Sequence, residues 1–519
     1  MTSPLNHWLR RAAVALLAAV LVPAGAHPAS PAGPTAGREV REPAVAGQFY
    51  PASAEQLRSA LERFLKDAAP PAAKRPIAIV VPHAGYAFSG EIAADGWRYA
   101  SARPPEVVVV LGTNHTMAGF RGIAASPARG FRTPLGIAEV DRDVIEELLR
   151  ADPDVVLDAR PHEREHSIEV EVPFVQVLFP KAKIVPLVVG APDPKLCQQL
   201  GQALAQVLRG KDALLVASSD LSHYPSARDA GVVDRRVLAA MASLDPDRFH
   251  SAIEAEMSRG VASLATCACG EAPILVVMSA ARALGSMRGT VVRYGNSGDG
   301  PLGDRERVVG YGAVAFETGP GVADTRMLEE PAPAPAGAEL DAPTRAALLA
   351  YARETLVRFL ETQTVPSTRR LPPAAARSRG AFVTLTRHGE LRGCIGQLSP
   401  IGPLGYTVGR MALEAALNDE RFPPVTLDEL PFLEIEVSVL SPMKRVELGE
   451  IVVGRDGIVL TKDGRRAVFL PQVATEQGWE RNELLDHLCE KAGLPRPCWH
   501  EGAIFEAFQA EVFGEAHRP

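Results

Sequence analysis

The residues of this chain best suited to chemistry are histidines and a cysteine, several of them set directly after short apolar runs. Ile77–Pro82 runs into His83-Ala-Gly-Tyr86, and Val107–Leu111 runs into Gly112-Thr-Asn-His115. Leu214–Ala217 runs into Ser218-Ser-Asp220-Leu-Ser-His223. His83 and His115, together with the thiolate of Cys269, would form a three-donor set with an open fourth position, as catalytic rather than structural metal sites do. Nitrogen plus sulfur donors favour iron, copper or zinc over magnesium or calcium. A metal would also keep Cys269 ionised, whereas a free thiol has a pKa of about 8.5. Gly85 and Gly270, close to His83 and Cys269 in sequence, allow close backbone approach. For any single histidine a hydrogen-bonded core position is the blander reading. Several converging on strand ends favour a site.

Asp220 and His223 lie three apart beyond the third run. The carboxylate could orient the imidazole and leave its other nitrogen for proton transfer or metal binding. Equally, Ser218, Ser219, Asp220 and Ser222 could cap the next helix, and spacing alone does not separate the two. His162-Glu-Arg-Glu-His-Ser-Ile-Glu169 is dense in titratable groups. His166 and Glu169 are candidates for the same cleft. Glu163 and Arg164 read as a solvated helix start, and Glu165 fits either role.

These donors need elements to bring them together. Apolar residues at successive positions read as strands buried on both faces, which implies an α/β sheet with helices on both sides. Ligands in such sheets bind at the carboxyl ends of the strands. A further strand is expected at Ile184–Val189. Helices are expected at Ala54–Leu65, capped by Ser53, at Asp141–Leu149 and at Leu196–Leu208. Arg307–Phe316 closes the sheet.

With 519 residues the chain exceeds one ordinary core, so two domains are expected. The net charge of -7 argues against nucleic-acid binding and against adsorption to anionic lipid. Arg10-Arg11, the apolar run Ala12–Val22 and Ala24-Gly-Ala26 describe a secretory signal peptide over 1–26. The run falls short of the roughly 20 residues of a spanning helix, so the mature chain would have no transmembrane span. An uncleaved N-terminal membrane anchor is the alternative to export into a periplasm-like space. Residues 27–41 form a Pro/Ala/Gly linker and 319–341 a second, Pro/Ala-rich one, which leaves domains at 42–318 and 342–517.

The second domain reads as α+β. A helix over Pro343–Gln363 precedes strands at Ala381–Thr386 and Leu391–Gly396, joined through Arg387-His-Gly389. A helix at Leu404–Leu417 and an alternating strand at Leu433–Leu440 follow. Gly457–Thr461 and Arg466–Leu470 form a hairpin around Lys462-Asp-Gly464. Cys394 sits between Gly393 and Ile395, with Arg392 nearby. It reads as an accessible thiol poised toward thiolate, against the alternative of an inert core cysteine. The scattered spacing of the six cysteines does not resemble a disulfide framework, and Cys489 and Cys498 read as structural.

Ala46-Gly-Gln-Phe-Tyr-Pro51, Pro82–Tyr86, Gly112–His115, Glu165–Glu169, Ser218–His223 and Cys269-Gly-Glu-Ala-Pro-Ile274 together resemble the Memo (mediator of cell motility) family over about 42–318. That family resembles class III non-haem iron extradiol dioxygenases in fold. The resemblance implies that His83, His115 and Cys269 are metal ligands, with Asp220 and His223 beside them. Dioxygenases of that fold use two histidines and a carboxylate. A cysteine at the third position therefore argues against catechol cleavage, and Cys267 suggests a redox-sensitive thiol pair. Leu391-Arg-Gly-Cys-Ile-Gly396, Asn418–Pro424 and Phe469–Ala474 resemble the AMMECR domain family over about 342–512. That resemblance implies a cleft joining Arg421 and Glu420 to Cys394. The two parts resemble proteins B and A of the AmmeMemoRadiSam system fused. The chain has no Cys-x3-Cys-x2-Cys cluster, so the radical S-adenosylmethionine protein of that system would be a separate partner.

The expectation is a metal-dependent redox or oxygenase-like enzyme acting on a small molecule or peptide. Iron or copper would be the metal, with zinc as the alternative. His223 would serve as acid/base with Asp220 orienting it, and Cys394 would accept or hand on an intermediate. The rivals are a non-catalytic module binding a peptide or metabolite in the same cleft, and hydrolytic zinc chemistry.

Overall fold

The computed structural model describes residues 39–190, 193–319, 321–329 and 339–515. The expected signal peptide and nearly all of the first linker lie outside the described residues, as do 320 and 330–338 of the second linker.

The first domain is built on an eight-stranded mixed sheet. Its strand order is Arg288–Asn296, Gly310–Glu317, Ala78–Val81, Ala213–Ser218, Val107–Thr113, Lys183–Val189, Ile123–Ala125, Val155–Leu157. Four neighbouring strands, from Ala78–Val81 to Lys183–Val189, are mutually parallel. Their apolar runs are buried along both faces, and every residue of Val107–Thr113 is buried. The three strands that precede His83, His115 and Asp220 are adjacent, so their carboxyl ends open on one rim. Helices flank the sheet. Ser53 caps Ala54–Asp67, and Asp141 accepts the Val144 N–H at 3.1 Å to start Arg142–Ala151.

The second domain is α+β, with two four-stranded antiparallel sheets. One orders Glu390–Gln397, Ala381–Arg387, Leu433–Leu440 and Ala510–Gly514. Helices Ala342–Thr362 and Leu404–Leu417 contribute to its apolar core. His388-Gly389 and Asp463-Gly464 all take positive φ, as tight hairpin turns require. Leu433–Leu440 alternates only in its first half. Its last four residues are buried on both faces, and Leu440 packs with Val459 and Phe508 of the second sheet. Cys489, near the end of helix Arg481–Lys491, is joined to Cys498 by a disulfide. Sequence spacing did not suggest that pairing, because it depends on the chain returning to a helix end.

The two domains are in contact. Leu302 is buried in the second domain's apolar cluster, and Phe88 packs against it. Arg358 pairs with Asp67 at 2.7 Å and with Glu91 at 3.1 Å, and Arg369 pairs with Asp95 at 2.5 Å. Among the described residues, no helix is long and apolar enough to cross a membrane.

Candidate metal centre

Three imidazoles meet at the strand rim. The ring centroids of His83 and His115 are 5.1 Å apart, those of His115 and His166 4.5 Å, and those of His83 and His166 5.3 Å. Cys269 Sγ lies 3.2 Å from His83 Nε2. Among the described residues, two donor groups have the spacing to hold a metal ion: His83 with His115 and His166, and His83 with Asp220 and Cys269. His83 belongs to both. The donor chemistry, imidazole nitrogen with one thiol, suits a transition metal.

The outer nitrogens are held in ways that leave the inner ones available. His83 Nδ1 lies 2.9 Å from Ser218 Oγ. That hydroxyl donates to the Ser167 carbonyl at 2.6 Å and lies 3.0 Å from Glu171 Oε1. Burial, above all, pushes Glu171 up to about 8, and Trp97 Nε1 donates to its other oxygen at 2.8 Å. A protonated Glu171 can donate to Ser218, which then accepts from His83 Nδ1–H and leaves Nε2 with its lone pair. His115 Nδ1 lies 2.9 Å from Glu165 Oε1, which leaves Nε2 as the nitrogen a bound cation would take, displacing its proton. Burial works against protonating His115, but the Glu165 carboxylate and Cys269 outweigh it and raise its pKa. Burial and the neighbouring His115 push His166 down to about 3. Burial raises the Cys269 thiol, so a bound cation would be needed to keep it ionised at neutral pH.

Backbone fit depends on two glycines. A Cβ at Gly270 would lie 2.6 Å from the Ser218 carbonyl oxygen, so the loop bearing Cys269 reaches the strand only with glycine there. A Cβ at Gly112 would lie 2.7 Å from the Ile168 side chain, so glycine lets the His166 segment pack on the strand. Gly85 was expected to serve close approach as well, but a Cβ there would make only ordinary contact, 3.5 Å from Phe49 O. Its place is the N-cap of helix Tyr86–Tyr99.

Asp220 has a different task from orienting His223. Its Oδ1 accepts the backbone N–H of His83 at 2.8 Å and of Ala84 at 3.2 Å, fixing the turn that carries His83. It does not cap the following helix, whose cap is Ser226. His223 lines the cavity, and its Nε2 is buried with no hydrogen-bond partner among the described residues. Glu169 points away from the imidazoles. It pairs with Arg41 and accepts from Ala44 N–H at 2.8 Å, Val45 N–H at 3.0 Å and Tyr50 O–H at 2.6 Å. It thereby anchors the segment from which Gln48, Phe49 and Tyr50 line the cavity. Cys267 is free, buried in the core and raised to about 12 by burial, so it does not pair with Cys269.

Cys394, Arg392 and Arg421 form a separate cluster in the second domain. The Cys394 N–H donates to Asp419 Oδ2 at 2.8 Å, and Thr384 Oγ1 lies 3.2 Å from its Sγ. Arg421 pairs with Asp419 and Arg392 with Glu429, so both cations face carboxylates rather than the thiol. Asp419, not the exposed Glu420, contacts the cysteine. None of these residues lines the imidazole cavity.

Sequence reasoning missed Ser218 and Glu171 as supports and left Glu165 open. Glu171 gave one available signal, an acid inside the otherwise apolar run Val170–Val175. It also missed the contribution of Thr362, Gln363 and Thr364 to the cavity lining.

Residues 41–315 match the family model described as Memo-like protein, and residues 349–513 match the one described as AMMECR1. A MEMO1 family protein of Nitrosopumilus maritimus is 32% identical over 283 residues, covering 53% of this chain and 99% of its own length. One from Aquifex aeolicus is 37% identical over 279 residues, with 53% and 99% covered. A solved structure of an uncharacterized protein from Pyrococcus horikoshii is 38% identical, with a TM-score of 0.32, covering 34% of this chain and 92% of that one.

Proposed function

The chain belongs to the Memo-like protein family, with an AMMECR1 region following, and from that premise we propose that it is a metal-dependent redox or oxygenase-like enzyme. His83 and His115, each through Nε2, and Cys269 through Sγ would hold iron or copper. Such a metal, when bound, supplies one-electron and dioxygen chemistry. His223 would accept or return a proton at its unpartnered Nε2, and Asp220 would position His83 through its backbone. The open coordination place would receive a small molecule or the tip of a peptide. Cys394 would act as a second reactive thiol. The domains would span 42–318 and 342–517. Export is part of this reading, and the Cys489–Cys498 disulfide suits an oxidising compartment.

One observation carries the reading: the 3.2 Å approach of Cys269 Sγ to His83 Nε2, where both rings have their outer nitrogens tied to other groups. The His166 ring, stacked 4.5 Å from His115, favours a second ligand set of three imidazoles. Metal content separates the two sets. The native chain, Cys269→Ser and His166→Ala would be purified anaerobically, loaded with Fe(II), Cu(I) or Zn(II), and assayed by mass spectrometry. Loss confined to Cys269→Ser supports the two-nitrogen, one-sulfur set. Loss confined to His166→Ala supports the three-imidazole set. A native chain that takes up none of the metals ends the proposal.

A further inference from the structure

Part of the cavity's lining comes from the other domain. Helix Ala342–Thr362 ends beside it, and Thr362, Gln363 and Thr364 line it together with Phe49, Phe88 and the histidines. Gln363 takes left-handed backbone, φ 56°, which ends the helix and turns the chain beside the cavity, while its N–H still donates to the Phe359 carbonyl at 3.0 Å. Behind it Thr362 and Thr364 are buried, their hydroxyl oxygens 2.8 Å apart, while Thr362 Oγ1 also donates to the Arg358 carbonyl. The turn is fixed to the first domain from both flanks. Before it, Gln56 Nε2 donates to the Glu361 carbonyl at 3.0 Å. After it, the Ser367 N–H donates to Glu91 Oε1 at 3.2 Å and Arg369 holds Asp95. A turn held this firmly is a built wall of the cavity.

We propose that the two domains share one ligand site, in which the first supplies the metal donors and Gln363 of the second is a binding and specificity residue. The inference rests on the metal reading above. The cavity that holds both the imidazoles and Gln363 is small, about 60 Å³, room for a handful of water molecules, so a ligand that reaches both is a compact one. Phe49, Tyr86 and Phe88 offer apolar and aromatic surface in the same cavity. The second-domain turn brings a carboxamide to the cavity, a group that both donates and accepts but carries no charge. The ligand class that fits is a small metal-chelating molecule with an aryl or apolar body and an uncharged polar tail.

The test uses the full chain loaded with Co(II), whose absorption spectrum reports ligands entering the metal site. Azide, benzohydroxamate and 4-carbamoylbenzohydroxamate are titrated into the native protein, Gln363→Ala and Gln363→Trp. The native protein should prefer the carbamoyl compound by about fivefold, the worth of one neutral hydrogen bond. Gln363→Ala should erase that preference. Gln363→Trp should weaken both hydroxamates by about tenfold or more through steric exclusion, with azide still binding as in the native protein. Cobalt-loaded variants that bind both hydroxamates as the native protein does would overturn the shared site and leave the metal reading intact. A native chain that takes up no cobalt would remove both.

Discussion

Glu165 clasps His115 with both carboxylate oxygens: one accepts its backbone N–H at 2.7 Å and the other faces Nδ1 at 2.9 Å. The second oxygen also accepts the N–H groups of His166 and Ser167 at 2.9 Å each. One buried carboxylate therefore fixes one imidazole and the turn bearing another. Burial alone would raise its pKa, but His115 and these donors hold it well below the usual carboxylate range.

Glu165→Gln preserves the shape but loses the charge that fixes the His115 tautomer. Metal affinity should fall by about 10–100-fold, as for other partners of metal-bound histidines. Competition against a chromophoric chelator measures it, and an unchanged affinity would remove Glu165 from this role.

Arg41 is buried against Glu169 and also donates to the carbonyls of His162 at 3.0 Å and Glu165 at 2.7 Å. Arg41→Ala would strand a carboxylate that is only 1% exposed. A loss of about 3–5 kcal/mol is expected for breaking a buried pair from one side. Urea unfolding reads it. A loss below about 1 kcal/mol, the range of an exposed pair, would contradict the burial argument.

Asp234 gives the fold a pH dependence of definite sign. Burial pushes it from 3.8 up to about 7, although Ser222 and Tyr294 donate to it. With the folded value above the unfolded one, the folded state binds the proton more tightly. Its contribution is complete below about pH 4 and declines by about 1.4 kcal/mol per unit until about pH 7. Asp234→Asn should lack this slope, so the stability difference between native and variant should change across that window. Parallel stability curves for the two proteins would refute it.

The Cys489–Cys498 disulfide closes a short loop, nine residues apart in sequence, within the second domain. Reduction, or a paired change to alanine, should cost about 2–4 kcal/mol in that domain. Metal uptake by the first domain should remain as it was. Calorimetry with parallel metal analysis checks both outcomes, and a second-domain transition indifferent to reductant would count against the bond.

Much of the framework was legible because it is written locally. The β-branched runs before His83, His115 and Asp220 can be buried on both faces only in a sheet core, and parallel strands bring their ends to one rim. The helix at Leu404–Leu417 is bounded in the sequence as it is in the fold. The supports were harder to see. Ser218 looked like a cap, yet it sits between His83 and Glu171, a contact that depends on strands meeting far apart in sequence. Asp220 lies three residues from His223, which suggested a pair, but the neighbouring strand brings the His83 backbone to its carboxylate first. Gln363 carried no local signal, because its position follows from how two domains dock.

Arg358 has a consequence for how the halves depend on each other. Its side chain is 5% exposed, and of its three carboxylate partners Asp67 and Glu91 belong to the first domain. Glu354, the one from its own helix, is 46% exposed. Cut apart, the carboxyl-terminal half would keep a guanidinium without two of its three counter-ions, and the amino-terminal half two acids without this cation. Gene fission should therefore be poorly tolerated, and circular permutants that keep both halves on one polypeptide should fare better than the same halves made separately.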